Sequence, residues 1–364
     1  MKTKFIFLIT GLLFNFTTYA TSVNELTKQN WDSVILQAKN EGSVTFNIWY
    51  LQPQWRSFVK QFEDAYGIKV NIPEGTIEGN TNKLLAEAKR EKGKMDVVAL
   101  SVGQLPASRK TQALAKIDWL PYYSQAIHHL QSVDTEGYAV AFWGNQTGFA
   151  YDPAQMKNQS LPQTIDELQA FINANPQRFG YNDPNNGGAG DAFIQQIVTS
   201  KSGSFDSQNS QIEPTVVQSW QKGWQWFIDN KDKIIQTASG ADSLTRLNDG
   251  ELFLVPAWED HLLGLQHTGA ITSRLKFYVP QFGMPSGGNI IGIANNSPHP
   301  AASAVFVNWL VQPETQMKLK ETFGTIPMGM QLDGKQLSEN KVHFFGKEYS
   351  VILKKAFVQN VTMK

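Results

Sequence analysis

Residues 44–50 read VTFNIWY, residues 55–66 read WRSFVKQFEDAY, and residues 68–72 read IKVNI. The outer two segments are short apolar runs rich in β-branched residues, which is typical of strands. In the middle segment, apolar residues recur at helical spacing and share one face: Trp55, Phe58, Val59, Phe62 and Tyr66. Gly67 follows at once, where a glycine commonly ends a helix. The stretch therefore predicts a strand, a helix and a second strand.

The same alternation continues along the chain. Residues 81–93, TNKLLAEAKREKG, predict a second helix with Thr81 as its N-cap and Gly93 at its end. Residues 95–100, MDVVAL, predict a third strand. A β-α-β-α-β order implies a parallel sheet covered by helices on both faces, which places the chain in the α/β class.

The alternation of predicted strands and helices changes after residue 136. Residues 137–153 are strand-rich and broken by glycines, and they predict an extended crossover rather than a further βα unit. Thr164 and Glu167 have the spacing of a capping box at the start of a helix. Further helices and strands follow, and we expect helices over 213–234, 300–311 and 313–324, and strands over 274–282 and 287–294. Two α/β lobes joined by extended crossovers account for this order.

The N-terminus has the pattern of a secretory signal peptide. Lys2 and Lys4 precede the apolar run 5–14, and small residues stand at Thr18 and Ala20. We expect cleavage after Ala20, because the run is shorter than the roughly 20 residues of a membrane span. Cleavage would leave 30 basic and 32 acidic residues, a balance that lacks the basic footprint of a nucleic-acid or anionic-lipid binder. The chain has no cysteine, so we expect no disulfide, no lipoprotein anchor and a soluble periplasmic protein.

Ligands of doubly wound sheets bind beyond the carboxyl ends of the strands. The residues at such ends are therefore the predicted ligand contacts, and they are Trp49, Tyr50, Asn80, Ser101, Trp143, Asn145, Asn186, Gly188, Asp191, Trp258, Glu259, Asp260 and Asn289. If the strand before Trp258 continues, Glu259 and Asp260 point opposite ways, and we expect Asp260 to face the cleft. Four other tryptophans are expected in the core: Trp55, Trp220, Trp224 and Trp309.

Two further patterns leave alternatives open. The run Gly187–Gly190 before a helix either offers backbone N–H groups to an anion or forms a plain turn, and it completes neither a P-loop nor a dinucleotide fingerprint. No zinc-protease motif and no nucleophile elbow is present. Glu259, Asp260 and His261 could form a metal corner only if neighbours in a strand converged. A pair of carboxylates distant in sequence remains a possible hydrolase site.

Several segments together resemble the periplasmic solute-binding proteins of ABC importers, in the group with spermidine/putrescine, thiamine and ferric-iron binders. Residues 46–70 are similar to that group's opening strand, helix and strand, residues 95–118 to its third strand and helix, and residues 142–153 to its crossover. The most specific piece is 277–327, which resembles the return crossover and the helix pair behind it.

The resemblance implies a type II periplasmic-binding-protein fold, with each lobe a mostly parallel sheet flanked by helices and two extended crossovers between them. It assigns residues 1–20 to the signal peptide, 21–146 and 277–325 to lobe 1, and 147–276 and 326–364 to lobe 2. The tryptophan-spacer-aspartate of polyamine binders falls on Trp258 and Asp260, the family's opening aromatic on Trp49, and its strand-end serine on Ser101.

The resemblance implies a protein that binds a small cationic solute and delivers it to a membrane permease. It would act as a monomer without a cofactor or enzymatic activity. Three alternatives stay open: an anion binder of the same fold that uses Gly187–Gly190, an exported hydrolase, and a docking module without a small ligand.

Overall fold

The computed structural model describes residues 22–130, 133–157, 159–328 and 341–363. The predicted signal peptide, residues 1–20, lies outside these ranges. Among the helices within them, none has both the length and the apolar character that a membrane crossing requires.

Helices and strands alternate along most of the described chain. The strands are β1 (Ser43–Asn47), β2 (Lys69–Asn71), β3 (Val97–Ser101), β4 (His129–Leu130), β5 (Val133–Asp134), β6 (Val140–Tyr151), β7 (Phe179–Asn182), β8 (Ile234–Thr237), β9 (Leu254–Trp258), β10 (Lys276–Tyr278), β11 (Met284–Ile293) and β12 (Lys341–His343). The helices are α1 (Val23–Leu26), α2 (Trp31–Glu41), α3 (Gln52–Phe58), α4 (Lys60–Tyr66), α5 (Ile77–Glu87), α6 (Leu105–Lys110), α7 (Pro153–Met156), α8 (Ile165–Ala174), α9 (Gly188–Ser202), α10 (Pro214–Ser219), α11 (Gln221–Asp229), α12 (Gly240–Asn248), α13 (Glu259–His267), α14 (Pro300–Leu310), α15 (Pro313–Phe323) and α16 (Lys347–Phe357).

Most of the strands join one curled sheet in the order β2-β1-β3-β11-β6-β9-β7-β8. At one end β1 pairs in parallel with β2 and β3, and at the other β7 pairs in parallel with β8 and β9. The long strands β6 and β11 are antiparallel to each other and to their outer neighbours. The sheet is therefore parallel at both ends and antiparallel in the middle, where the chain crosses between the ends.

Buried side chains form separate cores on the two ends of the sheet, which define a first and a second lobe. In the first, Trp55 packs on Phe46 with ring centroids 5.3 Å apart, and in the second Phe193 packs on Phe179 at 5.2 Å. Trp55, Trp220, Trp224 and Trp309 are all buried, which confirms their prediction as core residues.

The long strands β6 and β11 each contribute to both cores. Val140 and Phe142 at the start of β6 pack in the first lobe, whereas Phe149 packs in the second. In β11, Met284 packs in the second lobe and Ile291 packs in the first. The predicted α/β class with two lobes and two extended crossovers is therefore confirmed, while the residue boundaries of the lobes stay a prediction.

Three predicted helices have other bounds in the structure. The helix predicted over 213–234 is divided into α10 and α11 and ends at Asp229. The second helix does not begin at Thr81 and end at Gly93: α5 starts at Ile77, because the Thr76 hydroxyl accepts a hydrogen bond from the Gly79 N–H at 3.1 Å. Asn80 consequently lies inside this helix rather than ahead of it. The helix predicted over 55–66 is divided into α3 and α4 at Val59, and it ends as expected at Gly67, whose φ of 69° is left-handed.

The glycine-rich run before α9 permits close packing of that helix on the sheet. A Cβ atom at Gly190 would lie 1.9 Å from the backbone carbonyl oxygen of Asn182, the last residue of β7. Neither backbone can yield without displacing the helix from the strand. Glycine is therefore required here for contact between α9 and β7.

We expect Gly190→Ala to lower the free energy of unfolding by about 2 kcal/mol or more, because overpacking of this kind costs ~1–3 kcal/mol. Chemical denaturation monitored by circular dichroism measures the change. Gly103→Ala is the matched control, since a Cβ there meets no atom within 4 Å. Equal stability of the two variants would contradict the packing argument.

Candidate functional site

A cavity of about 440 Å³ opens between the lobes, beyond the ends of β1 and β9. Its volume falls in the range of small-molecule sites. Both lobes line it. The first contributes Trp49, Tyr50, Leu51, Gln54, Trp143, Asn145 and Asn289, and the second contributes Trp258, Asp260, His261, Gly264, Leu265 and Thr268.

Seven of the predicted ligand contacts line this cavity, although they come from four separate segments of sequence. They are Trp49, Tyr50, Trp143, Asn145, Trp258, Asp260 and Asn289. The crossover strands explain part of this convergence, because β6 and β11 pair with Asn289 opposite Trp143 and Gly287 opposite Asn145. The fold thus brings the strand-end positions to one place.

Trp143 and Asp260 connect the lobes at the centre of the cavity wall. The indole Nε1 of Trp143 donates a hydrogen bond to Asp260 Oδ2 at 3.0 Å. Trp143 is otherwise buried at 1% exposure, where it packs on Trp55 and on Phe323 of the first lobe. A core tryptophan of one lobe therefore holds the acidic side chain of the other.

The hydrogen bonds to the Asp260 carboxylate offset only part of the hydration that it loses by burial. Burial raises the pKa of Asp260 to about 6, while the hydrogen bonds from Trp143 and from the backbone N–H of His261 act in the opposite direction. Burial also raises the pKa of the neighbouring Glu259 and lowers that of His261. At neutral pH the cavity wall therefore carries an ionised Asp260 beside a neutral imidazole.

Tyr50 acts as a neutral hydrogen-bond donor at the same wall. Its hydroxyl donates to Asn289 Oδ1 at 3.1 Å, and its ring packs edge-on against Trp49 and Trp143. Burial, and secondarily the Asp260 charge, raises the pKa of Tyr50 well above its ordinary value. The phenol thus stays protonated and fixes the orientation of the Asn289 amide.

The indole of Trp258 fits between two glycines. A Cβ at Gly188 would lie 2.9 Å from its Cζ2, and a Cβ at Gly287 would lie 3.2 Å from its Cη2. Its ring also stacks on Phe344, with centroids 5.7 Å apart. Gly188, one of the predicted ligand contacts, therefore makes room for Trp258 and does not line the cavity.

The strand that was expected to continue past Trp258 ends there. Glu259 and Asp260 are the first two residues of α13, where acidic side chains favour the helix N-terminus. The prediction that they alternate along a strand was wrong for this reason. Asp260 lines the cavity and Glu259 does not, since Glu259 lies near Lys320 of α15.

Sequence reasoning missed six residues that line the cavity. Four of them, His261, Gly264, Leu265 and Thr268, follow the i, i+3, i+4, i+7 spacing of one face of α13. These residue types form no apolar stripe, so their spacing alone does not indicate a helix. The available signal was the adjacent acidic pair Glu259 and Asp260, which is typical of a first helical turn. The other two, Leu51 and Gln54, lie at the start of α3.

The remaining predicted contacts lie away from the cavity. Asn80 is buried in α5 beside Gly75, and the backbone N–H of Ser101 bonds to the Gln104 side chain at the end of β3. Asn186 is exposed in the loop before α9. None of these three side chains lines the cavity.

Asp191 attaches the C-terminal helix to the second lobe. It is 4% exposed, lies 3.2 Å from Lys354 of α16, and accepts a hydrogen bond from Gln195 in α9. Burial raises its pKa, and Lys354 opposes that effect. Within the described ranges, no three His, Asp or Glu side chains gather as they would around a metal ion.

Solved structures with the same architecture share little sequence with this chain. A protein of Bordetella parapertussis described as an extracellular solute-binding protein superposes with a TM-score of 0.68 at 16% identity, over 88% of this chain and 98% of the other. The spermidine/putrescine ABC transporter substrate-binding protein PotD of Streptococcus pneumoniae gives 0.67 at 11% identity, over 87% and 98%. Iron-bound HitA of Pseudomonas aeruginosa gives 0.61 at 17%, over 86% and 98%. The two-lobed type II periplasmic binding fold is thereby confirmed.

No curated protein sequence matches the chain significantly. A family of sequences does. The family described as bacterial extracellular solute-binding protein matches residues 57–343, which span both lobes and every segment that lines the cavity except the stretch 49–54. This chain belongs to the bacterial extracellular solute-binding proteins.

Proposed function

We propose that the protein captures a small organic cation between its lobes and delivers it to the membrane permease of an ABC importer. One observation carries the ligand class: the aromatic cavity has Asp260 as its acidic side chain, and no lysine or arginine is among its described lining residues. Membership of the extracellular solute-binding family supports a binding role. The similarity in fold to PotD, a spermidine/putrescine ABC transporter substrate-binding protein, supports a transport role.

The contacts available at this wall are sufficient for useful affinity. A cation over an indole face gains about 0.5–2 kcal/mol, depending on desolvation. A hydrogen bond to a charged group adds about 1.5–3 kcal/mol. Two or three such contacts supply much of the roughly 8 kcal/mol that micromolar binding requires. Trp49, Trp143 and Trp258 provide the aromatic surface and Asp260 the charge.

Contacts between the lobes support a hinge mechanism. Besides the bond from Trp143 to Asp260, Leu263 of α13 packs so tightly on Gly324 that a Cβ there would lie 2.4 Å from its Cδ1. We propose that the ligand stabilises this closed arrangement and that the permease recognises it. We further propose that the protein is exported with removal of residues 1–20. It would then act in the periplasm as a monomer that binds solutes without transforming them.

The anion-binding alternative lacks comparable support. It requires the backbone N–H groups of Gly187–Gly190, but none of these residues lines the cavity. Gly188 packs on Trp258 and Gly190 on the Asn182 carbonyl. The proposal therefore rests on the wall that contains Asp260.

Asp260→Asn tests the ligand class. We expect it to weaken binding of organic ammonium ions by about 10- to 100-fold, since a charge-assisted hydrogen bond is lost. Isothermal titration calorimetry with a panel of organic cations and anions measures this. Glu259→Gln is the matched control, because it removes the adjacent charge outside the cavity, and it should change affinity less than about threefold. An anion that binds equally well to the unaltered protein and to Asp260→Asn would refute the proposal.

Binding should also depend on pH. Because the pKa of Asp260 is about 6, roughly one carboxyl in ten is ionised at pH 5, and affinity for a quaternary ammonium ion should be about tenfold lower there than at pH 8. A quaternary ligand keeps its own charge constant. Tyr50 stays neutral throughout, while Glu259 and His261 are the other titratable neighbours. The Asp260→Asn profile should be flat, and a slope that persists in this variant would assign the titration to those neighbours.

The same carboxylate should destabilise the unliganded protein. A folded-state pKa raised above the unfolded value contributes stability at low pH, and that contribution is lost as pH rises through about 6. We therefore expect Asp260→Asn to raise the free energy of unfolding at pH 8 by about 1–2 kcal/mol, and by less at pH 4.5. Thermal unfolding without ligand at both pH values measures this. A gain that is the same at both would contradict the assignment.

A further inference from the structure

The cavity carries less negative charge than a ligand with several ammonium groups would need. Asp260 is the sole acidic residue among the described residues that line it, and His261 beside it is neutral because burial lowers its pKa. Glu259 lies outside the cavity near Lys320. One negative charge is therefore available to a bound cation.

The negative charge of the cavity lies at one end of the lining face of α13. Asp260 is in the first turn of α13, next to Trp143 and close to the Asn145 and Asn289 amides. Further along the same helix the lining residues are Gly264 and Leu265, and α3 contributes Leu51. At a rise of 1.5 Å per residue, Leu265 lies about 7–8 Å along the axis from Asp260, and Thr268 about 12 Å. The negative charge thus lies at one end, and the lining further along α13 and at the start of α3 is uncharged: Leu51, Gln54, Gly264, Leu265 and Thr268.

On the basis of the cation-binding function proposed above, we propose that the preferred ligand is a single-headed organic ammonium ion, with one positive charge at Asp260 and an apolar body along α13. A linear diamine seated on Asp260 would place its second ammonium beside Leu51 or Leu265. There it would lose water without gaining a counter-charge, which is unfavourable in a partly buried site. An alkyl or aryl body in the same position would instead bury apolar surface.

Matched pairs of ligands test this charge count. We expect hexylamine to bind at least tenfold more tightly than hexane-1,6-diamine, and 2-phenylethylamine to bind more tightly than either, in calorimetric titrations of the exported protein at pH 8. The uncharged 2-phenylethanol should bind at least tenfold more weakly than 2-phenylethylamine.

The outcomes separate the two proposals. A diamine that binds as tightly as the monoamine, or more tightly, would overturn the single-headed ligand and leave the cation-binding function intact. Equal affinity for 2-phenylethanol and 2-phenylethylamine, or binding of carboxylates and phosphates alone, would overturn both.

A second carboxylate in the uncharged region should reverse the preference. Gln54 lines the cavity from the first turn of α3, where an acidic residue favours the helix N-terminus, so Gln54→Glu is nearly isosteric and compatible with folding. We expect Gln54→Glu to raise the affinity for hexane-1,6-diamine at least tenfold relative to hexylamine. Gln104→Glu, outside the cavity, is the matched control and should leave that ratio unchanged. A ratio unchanged in Gln54→Glu would contradict the proposal.

Discussion

The pairing of β6 with β11 is the constraint on which the rest of the structure depends. Each strand runs from one core to the other, so the two lobes share an antiparallel ladder, with one register shift between Asn289 and Ile290, rather than flexible loops. Its register sets Asn289 opposite Trp143, and the Tyr50 hydroxyl then fixes the Asn289 amide. The part of the cavity wall that carries Trp143, Asn145 and Asn289 is thereby built on strands, which hold side chains more accurately than loops do. Motion between the lobes has to bend this ladder without breaking its register.

In the proposed function, Asp260 is a group that ligand binding needs and that the stability of the unliganded fold does not. Its carboxylate is placed in a half-buried wall, where desolvation disfavours the charge. The indole N–H of Trp143 and the N-terminus of α13 reduce this cost without cancelling it. Incomplete compensation leaves the carboxylate able to interact with a ligand, whereas Asp191, which is paired with Lys354, serves only to attach α16. Local instability at a binding site is a common trade-off in proteins.

Much of the fold followed from periodicity, and seven of the thirteen residues predicted at strand ends line the cavity. The short strands and the Gly67 helix end are local signals, so they could be predicted from the sequence. The start of α5 was missed because Thr76 and Thr81 both have side chains that can cap a helix; Thr76 caps it, whereas the Thr81 hydroxyl donates to the Ile77 carbonyl inside the helix. At the site, Asp191 and Gly188 could not be distinguished from ligand contacts, because their partners Lys354 and Trp258 are distant in sequence. The start of α13 had a local signal in its two adjacent acidic residues, but assuming a continuing strand concealed it, and its lining face has no apolar stripe that would predict it.

The packing of Trp258 between Gly188 and Gly287 has an evolutionary consequence. The ring occupies the volume that any larger side chain at either glycine would require. A lineage that replaced the tryptophan with a smaller residue would release Gly188 to vary, whereas Gly287 would stay restricted by the Asn145 amide, whose Oδ1 would lie 2.7 Å from a Cβ there. Positions 188 and 258, far apart in the chain, should therefore covary among homologues, and their joint state would distinguish descendants that retain this aromatic wall from those that have remodelled it for another solute.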